Sequence, residues 1–439
     1  MRYQSMKDQN KRLSVTIYND KFGLVKEERK LYSEDPTEEI QYVDVAKKIE
    51  TDSIIISGIH VLELNFDFDL VSKAKLLEKY LDEIIYIQDK KTKEKLAIRL
   101  LSVRDGIIGE RVDTKEIVIN PEGELVLPSL PAGLIAKPAL LWKVPRTVLD
   151  QIINVSYLTK GISWDANYVL NLNDGEFQFT GWVSINNQSG TTYENAEIKL
   201  IAGEINRVED IESIYEDEHS YRNDELVVYN SVEPSFEEKS FADQHMYTLN
   251  RPITMKDEQE KQINFLNVSS GTYRKLYEVN RYSDKPNISI EIDNTKENKL
   301  EIPLPKGKVK VYEADSDNLL EFIGEDKISH IPKKLPIKIT IGKAFDIVCE
   351  ALEVDRYKEN NLEFIEFHYN IDNHKEEAVT IKVEHQFYER DWEMIETSHQ
   401  YEKLDSNTVL FHMEMKPDEK VVITLQYVID HTIYIKNKK

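Results

Sequence analysis

Alternation of apolar and polar positions with a period of two runs along most of the chain. Leu13-Ser-Val15-Thr-Ile17, Ile288-Ser-Ile290-Glu-Ile292, Ile337-Lys-Ile339-Thr-Ile341 and Val379-Thr-Ile381-Lys-Val383 each place β-branched side chains on one face of a strand and polar ones on the other. One buried face and one wet face predict antiparallel sheets. Turn residues separate the runs. Asn173-Asp-Gly175 lies between apolar segments 168–172 and 177–179, and Pro121-Glu-Gly123 lies between 117–119 and 125–127, so both predict hairpins. Helical segments do not alternate with these strands, which favours sandwiches or barrels over a βαβ fold. The fold class read from the sequence is mainly β, with antiparallel β-sandwich or barrel domains and one short helix in the N-terminal domain.

The helix is predicted near 70–81, where Leu70, Ala74, Leu77 and Leu81 are spaced four, three and four and Asp69 or Ser72 is available as a cap. Short strands over 84–87, 96–100 and 107–108 follow it, in an order reminiscent of small β-barrels. Prolines at 128, 131, 138 and 145 then interrupt sheet pairing and place a domain boundary near residue 148. Three spans result: 1–148, a middle β domain over 149–310, and a C-terminal β-sandwich over 311–439 that can co-fold with the middle one.

The middle domain carries an acidic insertion over 208–243, where a dense run of Asp and Glu faces only Arg222 and Lys239. Charge of that density opposes compaction, so a solvated, mobile loop is expected. Its apolar islands, Leu226, Val227, Val228 and Tyr229, then Phe236, are the candidate interaction residues, because short hydrophobic motifs in acidic surroundings dock on partners.

Composition narrows the setting. With 57 basic and 80 acidic side chains the net charge is −23, so the average field repels nucleic acid. Mean hydropathy is −0.51 and no stretch approaches about 18 consecutive apolar residues, so no membrane span is expected. The segment Met1 to Arg12 is polar, without an apolar core before a cleavage site, which argues against a standard secretory signal. Cys349, the single cysteine, lies in Phe345-Asp-Ile-Val-Cys-Glu350 and reads as an inert thiol on a packed strand. These readings point to a cytoplasmic protein, in which the sequons at Asn154 and Asn267 carry no weight.

From Tyr157-Leu-Thr-Lys-Gly-Ile-Ser-Trp164 onward a family pattern emerges. It continues through Asp165-Ala-Asn-Tyr168, Phe179-Thr-Gly-Trp182-Val-Ser-Ile-Asn186-Asn-Gln-Ser-Gly190 and Ile201-Ala-Gly203, and resumes at Tyr247–Thr254, Leu304-Pro-Lys-Gly307 and Gly342-Lys-Ala-Phe-Asp346. Over about residues 150–435 the chain resembles the domain of unknown function 4139, whose members are sometimes named mucoidy-inhibitor-A-like. That resemblance implies no activity. The long acidic insertion and Lys306, where a small residue is expected, depart from the family pattern. On physical grounds Trp164, Tyr168 and Trp182 suit inter-sheet packing, while Gly190 and Gly203 suit turns or bulges. An aromatic sugar-binding platform is the alternative role for the tryptophans and requires Trp164 and Trp182 both to be exposed.

Candidate chemistry is sparse. The chain has no His-Glu-x-x-His, P-loop, Gly-x-Gly-x-x-Gly or Gly-x-Ser-x-Gly segment. His368, His374 and His385 flank a predicted hairpin that could pair two of them on a metal, but Asp372-Asn373 between them reads as a turn. Asp315-Ser-Asp317-Asn318 begins like a calcium loop and lacks its glycine and distal glutamate, so it also reads as a turn. No catalytic residue, metal site or cofactor is therefore assigned. The sequence favours a non-enzymatic cytoplasmic interaction or assembly scaffold, acting through a protein partner or by self-association at open sheet edges. The alternatives are a carbohydrate-binding β-sandwich protein, or a hydrolase whose carboxylates the fold assembles in a deep pocket with opposed pKa shifts.

Overall fold

The computed structural model describes residues 2–67, 73–104, 106–129, 138–203, 205–207, 236–241, 244–389 and 391–431. They are mainly β, with very few helical turns. The chain divides into two compact units: Met1–Ser163 with Asn186–Ile201 and Arg251–Lys261, and Trp164–Ile185 with Ala202–Asn250 and Gln262–Lys439. Both units are discontinuous in sequence, unlike the consecutive spans drawn from composition. In the first unit the cause is a parallel ladder, Glu197↔Ser14 through Ile201↔Tyr18, that returns Tyr193–Ala202 to the N-terminal strand.

That N-terminal strand, Asn10–Tyr18, pairs antiparallel with Phe22–Tyr32, which pairs in turn with Asp150–Lys160. Leu13, Ser14, Val15, Thr16 and Ile17 are all buried, so this strand lacks the wet face that its alternation predicts. A four-stranded sheet runs in the order Arg2–Ser5, Thr37–Val43, Ala139–Thr147, Glu63–Asp67. A five-stranded sheet runs Ile117–Ile119, Ile108–Arg111, Lys95–Ser102, Ile84–Gln88, Glu124–Val126.

The helix of the first unit is Lys73–Lys79. Leu70, Asp69 and Ser72 lie outside the described residues. Leu77 and Tyr80 pack against Ile85, Ile87, Ile98 and Leu100, while Leu81 is largely exposed. The shift arises because the chain turns at Asp82 (φ 68°), after Tyr80 has taken the inward place and donated its hydroxyl to Ser129 O at 2.6 Å. The hairpin expected at Pro121-Glu-Gly123 is not formed. Ile117–Ile119 pairs with Ile108–Arg111 and Glu124–Val126 pairs with Ile84–Gln88, at opposite ends of the sheet order. A tight turn closed by Arg111 N donating to Glu116 O gives 117–119 its partner before the chain reaches Pro121.

In the second unit, Asp174 (φ 44°) and Gly175 (φ 82°) make the two-residue turn that the sequence predicts, joining Ile162–Asn173 to Glu176–Asn187. Gly307–Ala314 adds parallel to the first of these, from Ala166↔Gly307 to Leu172↔Glu313. A Cβ on Gly307 would stand 2.2 Å from Ala166 O, so only glycine permits this approach. Asp315 closes the next turn, its Oδ1 accepting from Asp317 N (2.9 Å) and Leu319 N (2.8 Å), and it binds the backbone as the turn reading expects.

A C-terminal sandwich completes this unit. One sheet has six strands in the order Ile337–Lys343, Asn287–Ile292, Arg274–Val279, Val379–Gln386, Thr408–Met415, Tyr401–Lys403. The other has four: Ile347–Glu359, Leu362–Asn373, Lys420–Asp430, Trp392–Thr397. Ile365, Phe367, Tyr369, Ile371, Ile423 and Leu425 of the second pack against Ile381, Val383, Val409 and Phe411 of the first, with Cys349 in the same core. His368 and His385 are thus not on one hairpin, because the chain crosses between sheets after Asn373. The crossing lets both strands bury a face in one core.

Candidate functional site

The family-motif residues fall in two places. Trp164 is 1% exposed and meets Tyr247 edge-on at 6.3 Å, and Tyr168 stacks on Phe179 at 5.3 Å. Tyr168 donates to Pro305 O (2.7 Å) and Tyr247 to Pro303 O (3.0 Å), so these two hydroxyls fix the segment that enters the parallel strand at Gly307. Trp182 is half-buried. With Trp164 inside the core, the exposed pair that an aromatic platform requires is not present.

The second place surrounds Asn187, which the sequence reading passed over in favour of Asn186. Asn186 is half-buried and Asn187 fully buried. The Asn187 amide reaches Thr191 O (2.9 Å), Lys256 O (3.0 Å) and Met255 O (3.3 Å), and its Oδ1 accepts from Ser189 N (3.2 Å) and Oγ (2.8 Å). Gly190, at φ 86°, donates its N–H to Asp257 Oδ1 at 2.9 Å, and a Cβ there would meet Lys47 at 2.4 Å. Gly203 is at φ 151°, with Gln244 2.8 Å from where a Cβ would stand. The groups around Asn187 and Gly190 are occupied with one another, while Gly203 packs separately against Gln244, and in both cases this is the chemistry of a folding motif.

Of the interaction candidates, Leu226, Val227, Val228 and Tyr229 lie outside the described residues. Phe236 opens the strand Phe236–Phe241, half-buried and opposite Leu249 in a hairpin with Gln244–Leu249. The insertion therefore ends in a strand over 236–241, where a loop was expected. The segment is held by its backbone ladder, from Phe236↔Leu249 to Phe241↔Gln244, which neither charge density nor side-chain alternation reveals.

Charged side chains gather at two points. In the first unit Arg29 and Glu27 are buried together, with Nη2 and Nε of Arg29 at 2.5 and 3.0 Å from Glu27 Oε2. Tyr42 donates to the same oxygen at 2.5 Å and lies under the guanidinium, 3.7 Å from its ring centre. Arg29 also reaches Ser5 O, Val43 O and Asn10 Oδ1. Burial opposes the charge on Arg29, but Glu27 and the surrounding tyrosines outweigh it and the guanidinium is held more basic than usual. Burial, then the Glu27 charge, pushes the Tyr42 hydroxyl well up.

The second point is the free end of the C-terminal sandwich. Along Ile347–Glu359 the inward residues Ile347 and Cys349 are buried, until a bulge between Glu353 and Asp355 shifts the register. From Leu352 to Glu359 every residue is exposed. Arg356 grips Glu353 with two bonds of 2.6 and 2.7 Å and reaches Glu363 at 2.8 Å. His431 Nε2 lies 2.7 Å from the other Glu363 oxygen. Burial raises the Glu363 carboxyl, yet the hydrogen bonds from His431 and Arg356 and the charges of Arg356 and Lys358 win and hold it at about 2. Such a carboxylate stays ionised and cannot donate a proton at neutral pH.

His385 is buried among Phe367, Tyr369, Phe387 and Tyr427, and its Nδ1 shares a 2.9 Å hydrogen bond with the Tyr369 hydroxyl. Burial, helped by the Arg281 charge, lowers it to about 4, so the ring is neutral. His368 pairs with Glu366 at 2.7 Å on the opposite face, and His374 is exposed. Burial pushes the Cys349 thiol up to about 12. Among the described residues no group of three or more His, Cys, Asp or Glu is placed to hold a metal ion. Each carboxyl that departs from its ordinary value among them does so downward, as at Glu291, Glu353 and Glu363.

Two shallow concave places are found among the described residues. A groove of about 320 Å³ on the outer face of the six-stranded sheet is floored by Glu278, Glu291, Lys338 and Lys382. Its charges are already matched, with Lys338 2.6 Å from Glu278 and Lys382 3.2 Å from Glu291. A wider depression of about 480 Å³ lies over 397–401 and opens to solvent. No helix among the described residues is long and apolar enough to cross a membrane.

Comparison with curated proteins gives no match. A family model described as Domain of unknown function (DUF4139) matches residues 153–432, which takes in the buried aromatic motif around Trp164, the Asn187 knot and the whole C-terminal sandwich. The chain belongs to the DUF4139 family.

Proposed function

We propose that the chain is a non-enzymatic interaction or assembly protein of the cytoplasm, and that it makes contact through the free edge of the strand Ile347–Glu359. One observation carries this reading: eight consecutive residues, 352–359, are exposed on a strand that ends its sheet. Leu352, Val354 and Tyr357 lie among them and leave apolar surface in water. An edge strand presents unpaired N–H and C=O groups, the template for pairing with another chain. Earlier in the strand that template is covered, since Cys349 N donates to Asp284 O at 2.9 Å. Past Cys349 no backbone partner covers the edge among the described residues. The ionised Glu363, the neutral His385 and the shallow, charge-matched groove offer no acid–base pair for hydrolysis and so favour a contact role. A single thiol buried at Cys349 fits a reducing compartment.

Light scattering after size exclusion tests the self-association form of this proposal. A molar mass above the 51.3 kDa of one chain is expected, persisting on dilution and falling to one chain with Leu352→Lys and Tyr357→Glu together. A wild-type monomer at every concentration would remove self-association and leave a heterologous partner.

A further inference from the structure

The loop that covers the first part of the edge strand also delivers an unusual arginine. Cys349 N bonds to Asp284 O, and the same loop carries Arg281 and Tyr282. Arg281 is half-buried, with its guanidinium carbon 4.8 Å from the Tyr388 ring centre, 5.0 Å from Phe367 and 5.7 Å from Tyr282. Phe367 stands directly opposite Glu353 in the ladder, at the bulge after which the edge strand lies open. Arg281 is therefore held where the free edge begins.

What Arg281 lacks is an acceptor. Arg274 and Arg356, the other described arginines beyond residue 262, each hold two carboxylates at 2.6–2.8 Å. Arg281 is held by rings, and among the described residues it has no carboxylate within 4.0 Å and no hydrogen-bond acceptor. A guanidinium has five N–H donors in a planar fork, and aromatic faces satisfy its charge without using them. Beside it Tyr282 and Tyr388 are 72% and 67% exposed, their hydroxyls 3.3 Å apart. Two large exposed rings bracketing a fork of spare donors make a receptor for a planar oxyanion, which is the shape of a carboxylate.

We infer that Arg281, Tyr282 and Tyr388 bind the carboxylate of an acidic side chain on an extended partner segment that lies along the edge past Cys349. The inference rests on the contact reading of that edge and names the chemistry of its partner. A strand added there alternates its side chains above and below the sheet, and every second one points to the side on which Arg281 lies. An Asp or Glu at one such position completes the donors that the described residues leave open.

The test is fluorescence anisotropy of a labelled, end-capped hexaglutamate peptide titrated with the full chain at physiological ionic strength, with end-capped hexaglutamine as its neutral counterpart. Saturable binding of hexaglutamate and none of hexaglutamine is expected. Arg281→Gln should weaken it about tenfold, and Arg281→Lys should restore it only in part, because the charge returns without the fork. Tyr388→Phe, which keeps the ring, should weaken it less than Arg281→Gln does. The inference is overturned if Arg281→Gln binds hexaglutamate as the wild type does, or if millimolar protein gives no saturation. It is equally overturned if inorganic phosphate displaces the peptide at the concentration at which acetate does, because the site then has no preference for a carboxylate. A wild-type monomer in light scattering with hexaglutamate binding intact would sink the self-association reading alone.

Discussion

Arg29 and Arg281 show two ways in which this chain holds a guanidinium. Both lie over tyrosine rings, Arg29 at 3.7 Å from Tyr42 and Arg281 at 4.8 Å from Tyr388. Arg29 is fully buried, and its fork is filled by Glu27, Asn10 and two backbone carbonyls. Arg281 is half-buried and its fork is empty of acceptors among the described residues. The first is locked because an unmatched buried charge would be costly to the fold. The second tolerates missing acceptors because water reaches it, and a partner can replace that water. Filled donors mark a residue that serves the fold; open donors beside exposed rings are what the proposed contact would use.

Removing one member of the filled pair should give the largest effect in the molecule. Glu27→Ala leaves Arg29 charged and buried and strips Tyr42 of its acceptor, so a loss of about 4 kcal/mol is expected in denaturant unfolding. Replacing Glu27 and Arg29 together with methionine and leucine should cost far less, because no orphan charge remains. Equal losses in the single and double variants would mean that packing around the pair, and not its charge balance, holds that region.

His385 supplies an intermediate effect and extends the contrast to a neutral buried group. Its folded value of about 4 lies below the ordinary histidine value of 6.5. Between those two pH values the unfolded chain binds a proton that the folded chain does not, so stability rises with pH and is lost on acidification from 6.5 towards 4. The full window amounts to about 3 kcal/mol. Glu363 acts lower down: its stabilising contribution is present above 4.5 and is lost as pH falls towards its folded value of about 2. Thermal melts at steps between pH 7 and 4 should show the wild type falling more steeply than His385→Phe, which keeps an aromatic body in the cage. Parallel curves would show that His385 is not the group responsible.

Much of this was legible in the sequence wherever period-two alternation could be continued. Running the parity of Phe177 and Phe179 forward puts Val183, Ile185 and Asn187 inward and Trp182 and Asn186 outward, as found. The same count from Trp164 puts Tyr168, Leu170 and Leu172 inside. Asn187 was therefore within reach of the pattern, although a buried amide holding three carbonyls looks in sequence like any turn asparagine. Pairing was not within reach. Nothing near Ala166 announces that Gly307 will lie beside it, and Pro121-Glu-Gly123 has hairpin composition without a hairpin because its flanking strands find other partners first. The Arg281 receptor is illegible for the same reason, since Phe367 and Tyr388 are distant in the chain and meet it only through sheet crossing.

The smallest expected effect is the sharpest for the contrast between the two arginines. Arg281→Gln removes a guanidinium that donates to no acceptor among the described residues, so the fold loses ring contact alone. Exposed cation–π contacts contribute about 0.5–1 kcal/mol. The Arg281 charge also helps burial to depress His385, so removing it lets that pKa rise towards the ordinary value, which acts only on acidification and returns nothing at neutral pH. Unfolding of Arg281→Gln at neutral pH should thus lie within about 1 kcal/mol of the wild type, and its stability should fall less steeply on acidification. The same substitution at Arg29 orphans Glu27 in the core and should cost several times more. If Arg281→Gln instead proved as damaging as Arg29→Gln, Arg281 would be closing the open end of the sandwich core, and its spare donors would be a by-product of packing with no partner to recognise.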